Sequence, residues 1–121
     1  MSENKRTVER YIDGFNRSDH GQILSCLTDD IQWTVFGAFR LNGKAAYDYE
    51  IENPAFSGNP SITITRMVEE DDVVMAEMTV AVRRTNGERM RAAMGKVFVM
   101  EQGRIRERRA CVIELKENEY K

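Results

Sequence analysis

Side chains able to act as nucleophiles or metal ligands are few in this sequence. It contains one histidine, His20, and two cysteines, Cys26 and Cys111. Structural and catalytic metal sites take three or four His, Cys or acidic ligands at short recurring spacings, and no such grouping occurs here. His20 follows Asp19, a good helix N-cap, so we expect it at the surface, away from either thiol. The sequence therefore predicts no metal, no cofactor and no Cys–His pair.

The densest acidic cluster, EEDD at residues 69–72, separates two alternating apolar runs. This position predicts a hairpin turn with solvated acids and not a metal site. Both cysteines are expected to be small buried apolar residues, and so few of them fit a reduced, cytoplasmic setting. An N-terminus without an apolar core argues against a signal peptide, and no window is long enough to span a membrane.

Basic residues are concentrated in the C-terminal half. Residues 83–109 contain nine basic and three acidic side chains, a net charge of +6 that leaves −8 for the rest of the chain. One interpretation is a solvated strand face; the other is a patch that attracts anions or borders a dimer interface. The whole chain carries a net charge of −2, which argues against a dedicated nucleic-acid-binding protein.

Three helices are predicted in the first half of the chain. Residues 3–16 place apolar side chains at helical spacing with charged ones opposite, as in an amphipathic helix. Asp19 and Gln22 form a capping-box pattern at the start of a short second helix. Asn42 is the expected N-cap of a third helix, and Pro54 is expected to stop it, because the residue before proline disfavours the helical conformation.

Alternating apolar and polar residues predict five strands. The first covers residues 31–37 and carries the only tryptophan, Trp33. Four long strands follow at residues 61–68, 73–84, 89–100 and 104–115, and the middle two are joined at Asn86-Gly87, a strong hairpin signal. The layout predicts a single α+β domain over residues 1–121, with helices on one face of an antiparallel sheet. The other face is half apolar, which predicts a homodimer through the sheet.

These motifs resemble the nuclear transport factor 2-like superfamily, in particular its SnoaL-like and ketosteroid-isomerase-like branch. The resemblance covers roughly residues 5–115 and rests on the segments RYIDGF and LTDDIQW, a third helix that starts at a glycine, and four long strands. It implies a cone-shaped cystatin-like roll, in which a strongly curved antiparallel sheet and three N-terminal helices enclose a hydrophobic cavity. The implied partner is a small apolar or weakly acidic ligand.

The resemblance also implies which side chains line the cavity. Arg108 belongs to a face of the last strand shared with Arg106, Ala110 and Val112, where it would pair with an anionic ligand or with Glu77, Glu50 or Glu114. A register slip of one residue would instead expose Arg108. Phe39 is expected near the mouth. The other expected lining residues are Tyr11, Phe15, Trp33, Val35, Tyr47, Phe56, Met78 and Val80.

The known chemistry of the superfamily fits this sequence poorly. Tyr11 matches the helix-one tyrosine of ketosteroid isomerases, but the two carboxyl positions fall near Thr34 or Val35 and near Gly95, where no acid occurs. Epoxide hydrolases of this superfamily use an Asp-Arg-Asp set, yet residues 90–100 contain no Asp or Glu. Polyketide cyclases often place a histidine near an acidic base, and His20 falls outside the expected cavity.

Three hypotheses stay open at this stage. The first is an isomerase, cyclase or hydratase, with Glu50 or Glu77 as the base and Tyr11 and Arg108 as polar contacts. The second is a carrier that binds a small molecule without chemistry. The third is a protein-interaction dimer of the same fold. The resemblance specifies the fold more closely than any of these activities.

Overall fold

A computed structural model, which describes residues 2–52 and 54–116, has the predicted α+β architecture. A curved, unclosed sheet of six strands packs against the N-terminal helices. The helices are α1 (Glu3–Asn16), α2 (His20–Ser25) and α3 (Lys44–Glu50). The strands are β1 (Leu27–Val35), β2 (Phe39–Asn42), β3 (Phe56–Glu70), β4 (Val73–Arg84), β5 (Arg89–Glu101) and β6 (Arg104–Leu115). None of these helices has the length and apolarity needed to cross a membrane.

The strand order is β2-β1-β6-β5-β4-β3. Strands β3 to β6 form an antiparallel meander, and β2 is antiparallel to β1. The pairing of β1 with β6 is parallel, which is possible because the long chain between them provides the crossover. This pairing places Trp33 beside Arg108, although the two residues are far apart in sequence.

Local signals predicted α1 and the start of α2 correctly. The Ser2 hydroxyl caps α1 by accepting a hydrogen bond from the Lys5 N–H, and the Asp19 carboxylate accepts from the Gln22 N–H. The prediction for α3 was wrong at both ends. Gly43, with φ of +88°, is its N-cap, and α3 ends at Glu50, four residues ahead of the expected stop.

The strand predictions need three corrections. Strand β1 begins at Leu27 and not at residue 31. The four-residue strand β2 was not predicted, because it lies between two glycines and is too short to show a clear alternation. Strand β3 begins at Phe56 and continues through Pro60. A shift in the pairing with β4 between Ser57 and Ser61 accommodates the proline, which cannot donate a hydrogen bond.

One close contact joins two of the helices, and another fixes the helical layer to the sheet. Gly14 lets α1 approach α2, because a Cβ at this position would lie 2.8 Å from Ile23 Cγ1. At the end of α1, the Asn16 amide donates to the Ile62 carbonyl at 3.0 Å and accepts from the Ile62 N–H at 2.7 Å. The helical layer is thus held against β3 by two hydrogen bonds from one side chain.

Candidate functional site

A partly enclosed cavity of about 300 Å³ lies against the inner face of the sheet. Its volume is at the lower end of the range for small-molecule sites. Six of the residues expected to line it do so: Phe15, Trp33, Val35, Phe56, Val80 and Arg108. Phe39 contributes near the mouth, which we define as the edge where Phe39, Glu50 and Glu52 are exposed. The wall is therefore largely aromatic and aliphatic.

Three expected lining residues lie in the core and not in the cavity wall: Tyr11, Tyr47 and Met78 are fully buried. The hydroxyl groups of Tyr11 and Tyr47 form a hydrogen bond with each other. Burial raises the pKa of both phenols, an effect that the neighbouring positive charge of Arg108 opposes. At neutral pH the pair is therefore a neutral hydrogen-bonded support behind the cavity.

Trp33 belongs to the core and to the cavity wall at once. Its ring stacks on Tyr47, with centroids 4.3 Å apart and an interplanar angle of 29°. The edges of Phe39 and Phe15 complete the cluster at 5.2 Å and 6.4 Å. The buried indole Nε1 has no hydrogen-bond partner among the described residues. Trp33 thus offers an apolar surface and an N–H donor that no described residue uses.

Arg108 is buried, with 5% of its surface exposed, and lines the cavity. Its guanidinium carbon lies 4.4 Å from the centroid of the Trp33 ring, a cation–π geometry. Within the described part of the chain, Nε and Nη1 of Arg108 have no hydrogen-bond partner. Two donors of a planar guanidinium fork are therefore available to a group that is not part of the protein.

A β-bulge is the reason that Arg108 faces inward. Ile105 pairs with Met100 and Glu107 pairs with Val99, so Arg106 between them has no partner on β5. This extra residue turns both Ile105 and Arg108 toward the buried side, although they are three positions apart. The expected stripe on β6 is thereby interrupted: Arg106 is half-buried and does not line the cavity.

Lys96 is a second buried cation in the same wall, with 3% of its surface exposed. Burial lowers its pKa well below the usual value, and the positive charge of Arg108 lowers it further. The sequence interpretation missed Lys96 because it assigned the family's acidic position to Gly95. Strict alternation along β5 could have found it, since Met94, Lys96 and Phe98 all point to the buried face.

The carboxylates predicted to pair with Arg108 lie elsewhere. Glu77 is exposed on the outer face of the sheet, because its neighbours on β4 occupy the inner one. Glu114 pairs with Arg84 at 3.0 Å. Glu50 lines the mouth but is exposed. Across residues 2–52 and 54–116, the only buried charged side chains are the two cations, Lys96 and Arg108.

The histidine is close to the mouth and not on an isolated surface position. His20 Nδ1 lies 2.6 Å from the Asp48 carboxylate and Nε2 lies 2.7 Å from the Glu52 carboxylate. The bond to Asp48 raises the pKa of the imidazole most, followed by the bond to Glu52. His20 thus links α2 to the end of α3. Sequence reasoning could not find this contact, because its partners lie about 30 residues away.

The cysteines were predicted to be buried, and this holds only for Cys26; Cys111 is exposed on the outer face. The EEDD turn falls on Asp71 and Asp72, both exposed, while the two glutamates end β3. No group of His, Cys, Asp or Glu in the described residues could hold a metal ion.

Comparison with known proteins assigns the family. The family model of the SnoaL-like domain matches residues 8–108 of the sequence. The chain belongs to the SnoaL-like domain family. No curated protein matches the sequence of this SnoaL-like protein significantly.

Solved structures share the fold of this SnoaL-like protein at low sequence identity. An LEH-like epoxide hydrolase of M. tuberculosis has a TM-score of 0.81 at 22% identity, covering 91% of this chain and 82% of its own. A putative SnoaL-like polyketide cyclase from Shewanella putrefaciens CN-32 has a TM-score of 0.81 at 10% identity, with coverages of 93% and 81%. TerC, co-crystallized with polyporic acid, has a TM-score of 0.80 at 19% identity, with coverages of 90% and 90%.

Proposed function

We propose that this SnoaL-like protein binds a small, largely apolar organic acid, whose negative charge lies against Arg108 and Lys96. The observation that carries the proposal is the burial of two cations in one cavity wall, with no buried acid in the described residues. Burying an unpaired charge is unfavourable by several kcal/mol, so stability alone does not account for the pair. An anionic ligand would supply the missing counter-charge.

The chemistry of the wall defines the ligand further. A carboxylate or enolate oxygen pair suits the two free donors of Arg108, because a guanidinium fork makes two parallel hydrogen bonds. Trp33, Phe15 and Val80 surround the same space with apolar surface. An aromatic or alicyclic acid satisfies both halves of the cavity. The co-crystal of TerC with polyporic acid lends support to an acidic ligand in this fold.

We favour ligand binding over a catalytic mechanism that uses a carboxylate as the base. An isomerase, cyclase or hydratase of the expected kind needs an acid held in the cavity, out of bulk water. Glu77 is on the opposite face of the sheet, and Glu50 is exposed at the mouth. The proposed function is therefore ligand binding through cations, as in a carrier or in an enzyme whose chemistry does not depend on a buried carboxylate.

The test uses Trp33, the only tryptophan, as a fluorescence reporter. Mandelate, cyclohexanecarboxylate and 2-naphthoate are titrated, each beside its neutral methyl ester. We expect at least one acid to bind saturably, and we expect its methyl ester to bind at least roughly tenfold more weakly than the acid. Arg108→Met should weaken acid binding by roughly 30-fold to 100-fold, the loss of about 2–3 kcal/mol typical of a charge-assisted pair.

Arg106→Met is the matched control, because Arg106 lies on the same strand outside the cavity wall and its loss should leave affinity unchanged. Trp33→Ala, followed by calorimetry, should abolish binding without loss of the fold. Equal affinity for acids and esters, or an unaffected Arg108→Met variant, would contradict the proposal.

We also propose a homodimer through the outer face of the sheet. Val68, Met75 and Ile113 are exposed there at 53%, 52% and 64%. Arg66 and Glu77 border the same groove, so the face carries both signs of charge and can meet a copy of itself across a twofold axis. The apolar exposure supports an interface.

Light scattering coupled to size exclusion tests this proposal. Ile113→Asp should convert a dimer into a monomer. Tyr49→Asp, which places the same charge on a side chain that is 84% exposed on α3, should leave the dimer intact. A wild-type monomer at high micromolar concentration would refute the dimer without affecting the proposed ligand site.

A further inference from the structure

Lys96 has a set of properties that anion binding alone does not require. Its side chain belongs to the cavity wall yet is almost completely buried. No ion pair joins it to an acid among the described residues, in contrast to Lys44, which pairs with Asp29 at 3.6 Å. Its strongest charged neighbour is the guanidinium of Arg108. Burial and this neighbouring positive charge both favour the neutral amine, which is the nucleophilic form of lysine.

We propose that Lys96 forms a Schiff base with the carbonyl group of an oxo acid whose carboxylate is held by Arg108. The proposal rests on the proposed function, since Arg108 is the anchor that brings the carbonyl to the amine. The two cations stand on neighbouring strands and face the same side: Lys96 pairs with Ala110 and Arg108 pairs with Phe98. A ligand with its acid and carbonyl groups on adjacent or nearby carbons would span them.

The step is balanced without an external oxidant or reductant. The amine lone pair attacks the carbonyl carbon, and the C–O π electrons move to the oxygen, which gives a carbinolamine. The nitrogen loses its two hydrogens and the oxygen leaves with them as one water, so that a C=N bond replaces the C=O bond. The apolar wall favours this loss of water, and the Tyr11–Tyr47 pair is buried beside the site.

The substrate class is thereby narrower than an organic acid. It is an aromatic or alicyclic acid that also carries a ketone or aldehyde. In its protonated form the resulting C=N bond withdraws electrons from the neighbouring carbon more strongly than the carbonyl does. The protonated C=N bond would activate the substrate without a buried carboxylic acid, and the described residues include no such acid.

Reductive trapping tests the inference in the full-length protein. Benzoylformate, an aromatic 2-oxo acid, is incubated with the protein and sodium cyanoborohydride at pH 7, and peptide mapping locates the reduced adduct. We expect the adduct on Lys96, formed at least about tenfold faster than on Lys5 or Lys44, because Arg108 holds the oxo acid in the same cavity wall as this amine. Lys96→Arg should abolish it, and Lys44→Arg should not.

Mandelate separates the inference from the proposed function, because it carries a hydroxyl group where benzoylformate has the carbonyl. Mandelate should compete with trapping but form no adduct. Binding of both acids without an adduct on Lys96 would overturn the Schiff base and leave the anion site standing. An adduct on Lys96 without mandelate binding would show that the amine is reactive, but it would overturn the Arg108 anchor that the inference requires. Labelling spread evenly over the lysines overturns the inference. The absence of any adduct, together with no binding of either acid, overturns it as well.

Discussion

Charged side chains have partners of opposite charge at the mouth of the cavity but not in its wall, among the described residues. At the mouth, His20 lies between two carboxylates, at 2.6 Å and 2.7 Å. In the wall, Lys96 and Arg108 are buried without an acid among the described residues. Asn16 is also paired, close in sequence to Ser18, which lines the cavity. Its side-chain amide donates to and accepts from the backbone of Ile62 on β3.

This contrast separates groups that stabilise the fold from groups that do not. A paired polar side chain contributes a small net stability, and its removal leaves a partner unsatisfied. An unpaired buried cation is retained against its desolvation penalty, so its removal should stabilise the protein. The sign of the change in unfolding free energy therefore tells which region serves structure and which serves binding.

The largest expected effect is a gain in stability from Lys96→Met. We expect the free energy of unfolding at pH 7 to rise by about 1–3 kcal/mol, because a buried ammonium group is replaced by an apolar chain of similar length. The pKa of Lys96 is lowered from 10.5 in the folded protein, so the unfolded chain binds the extra proton between the two pKa values. Wild-type stability therefore rises with pH through that window.

The gain from Lys96→Met should accordingly be largest at neutral pH and shrink as the pH approaches 10.5. Urea denaturation at pH 7 and pH 10 measures both effects, with Lys44→Met as the control at a half-buried lysine that pairs with Asp29. Destabilisation at pH 7 would break the contrast between wall and mouth, since it would mean that Lys96 stabilises the fold.

The next effect is a loss of stability from Asn16→Ala. Removing the amide breaks two hydrogen bonds to the backbone of Ile62, which should lower the free energy of unfolding by about 1–2 kcal/mol. Asn16→Asp sharpens the result, because a carboxylate still accepts from the Ile62 N–H and should recover part of the loss. Equal stabilities for all three proteins would show that the contact between α1 and β3 is not structural.

The smallest effect is expected from His20→Gln, and it depends on pH. The pKa of His20 is raised by its two carboxylate partners, so the stabilisation is complete below the unfolded value and is lost as the pH rises through the folded one. At pH 5.5 the variant should be less stable by about 0.2–1 kcal/mol, the range for solvent-exposed pairs, and at pH 9 the difference should vanish. A difference of equal size at both pH values, or one unaffected by salt, would exclude the ionic link.

Much of the fold was predictable because its signals are local. The α1 boundaries, both strands of the Asn86-Gly87 hairpin to within a residue, and β6 follow from periodicity and turn chemistry. Alternation on β1 put Trp33 and Val35 on one face, and the family resemblance, not the alternation, implied that this face borders a cavity. Errors occurred where local signals compete, as at Asn42, where pairing of β2 with β1 overrides a good helix-capping residue.

The sequence alone determined the family resemblance, the α+β layout and a short set of apolar candidates, because these depend on spacing and on side-chain type. Only the tertiary structure decided which basic residues are buried. A single unpaired residue, Arg106, changes the face on which Arg108 lies, and nothing local marks it. The parallel pairing of β1 with β6 then joins Arg108 to Trp33, and the pairing of β5 with β6 brings Lys96 close enough for the charges to interact. Contacts between distant segments depend on strand register, which local periodicity does not encode.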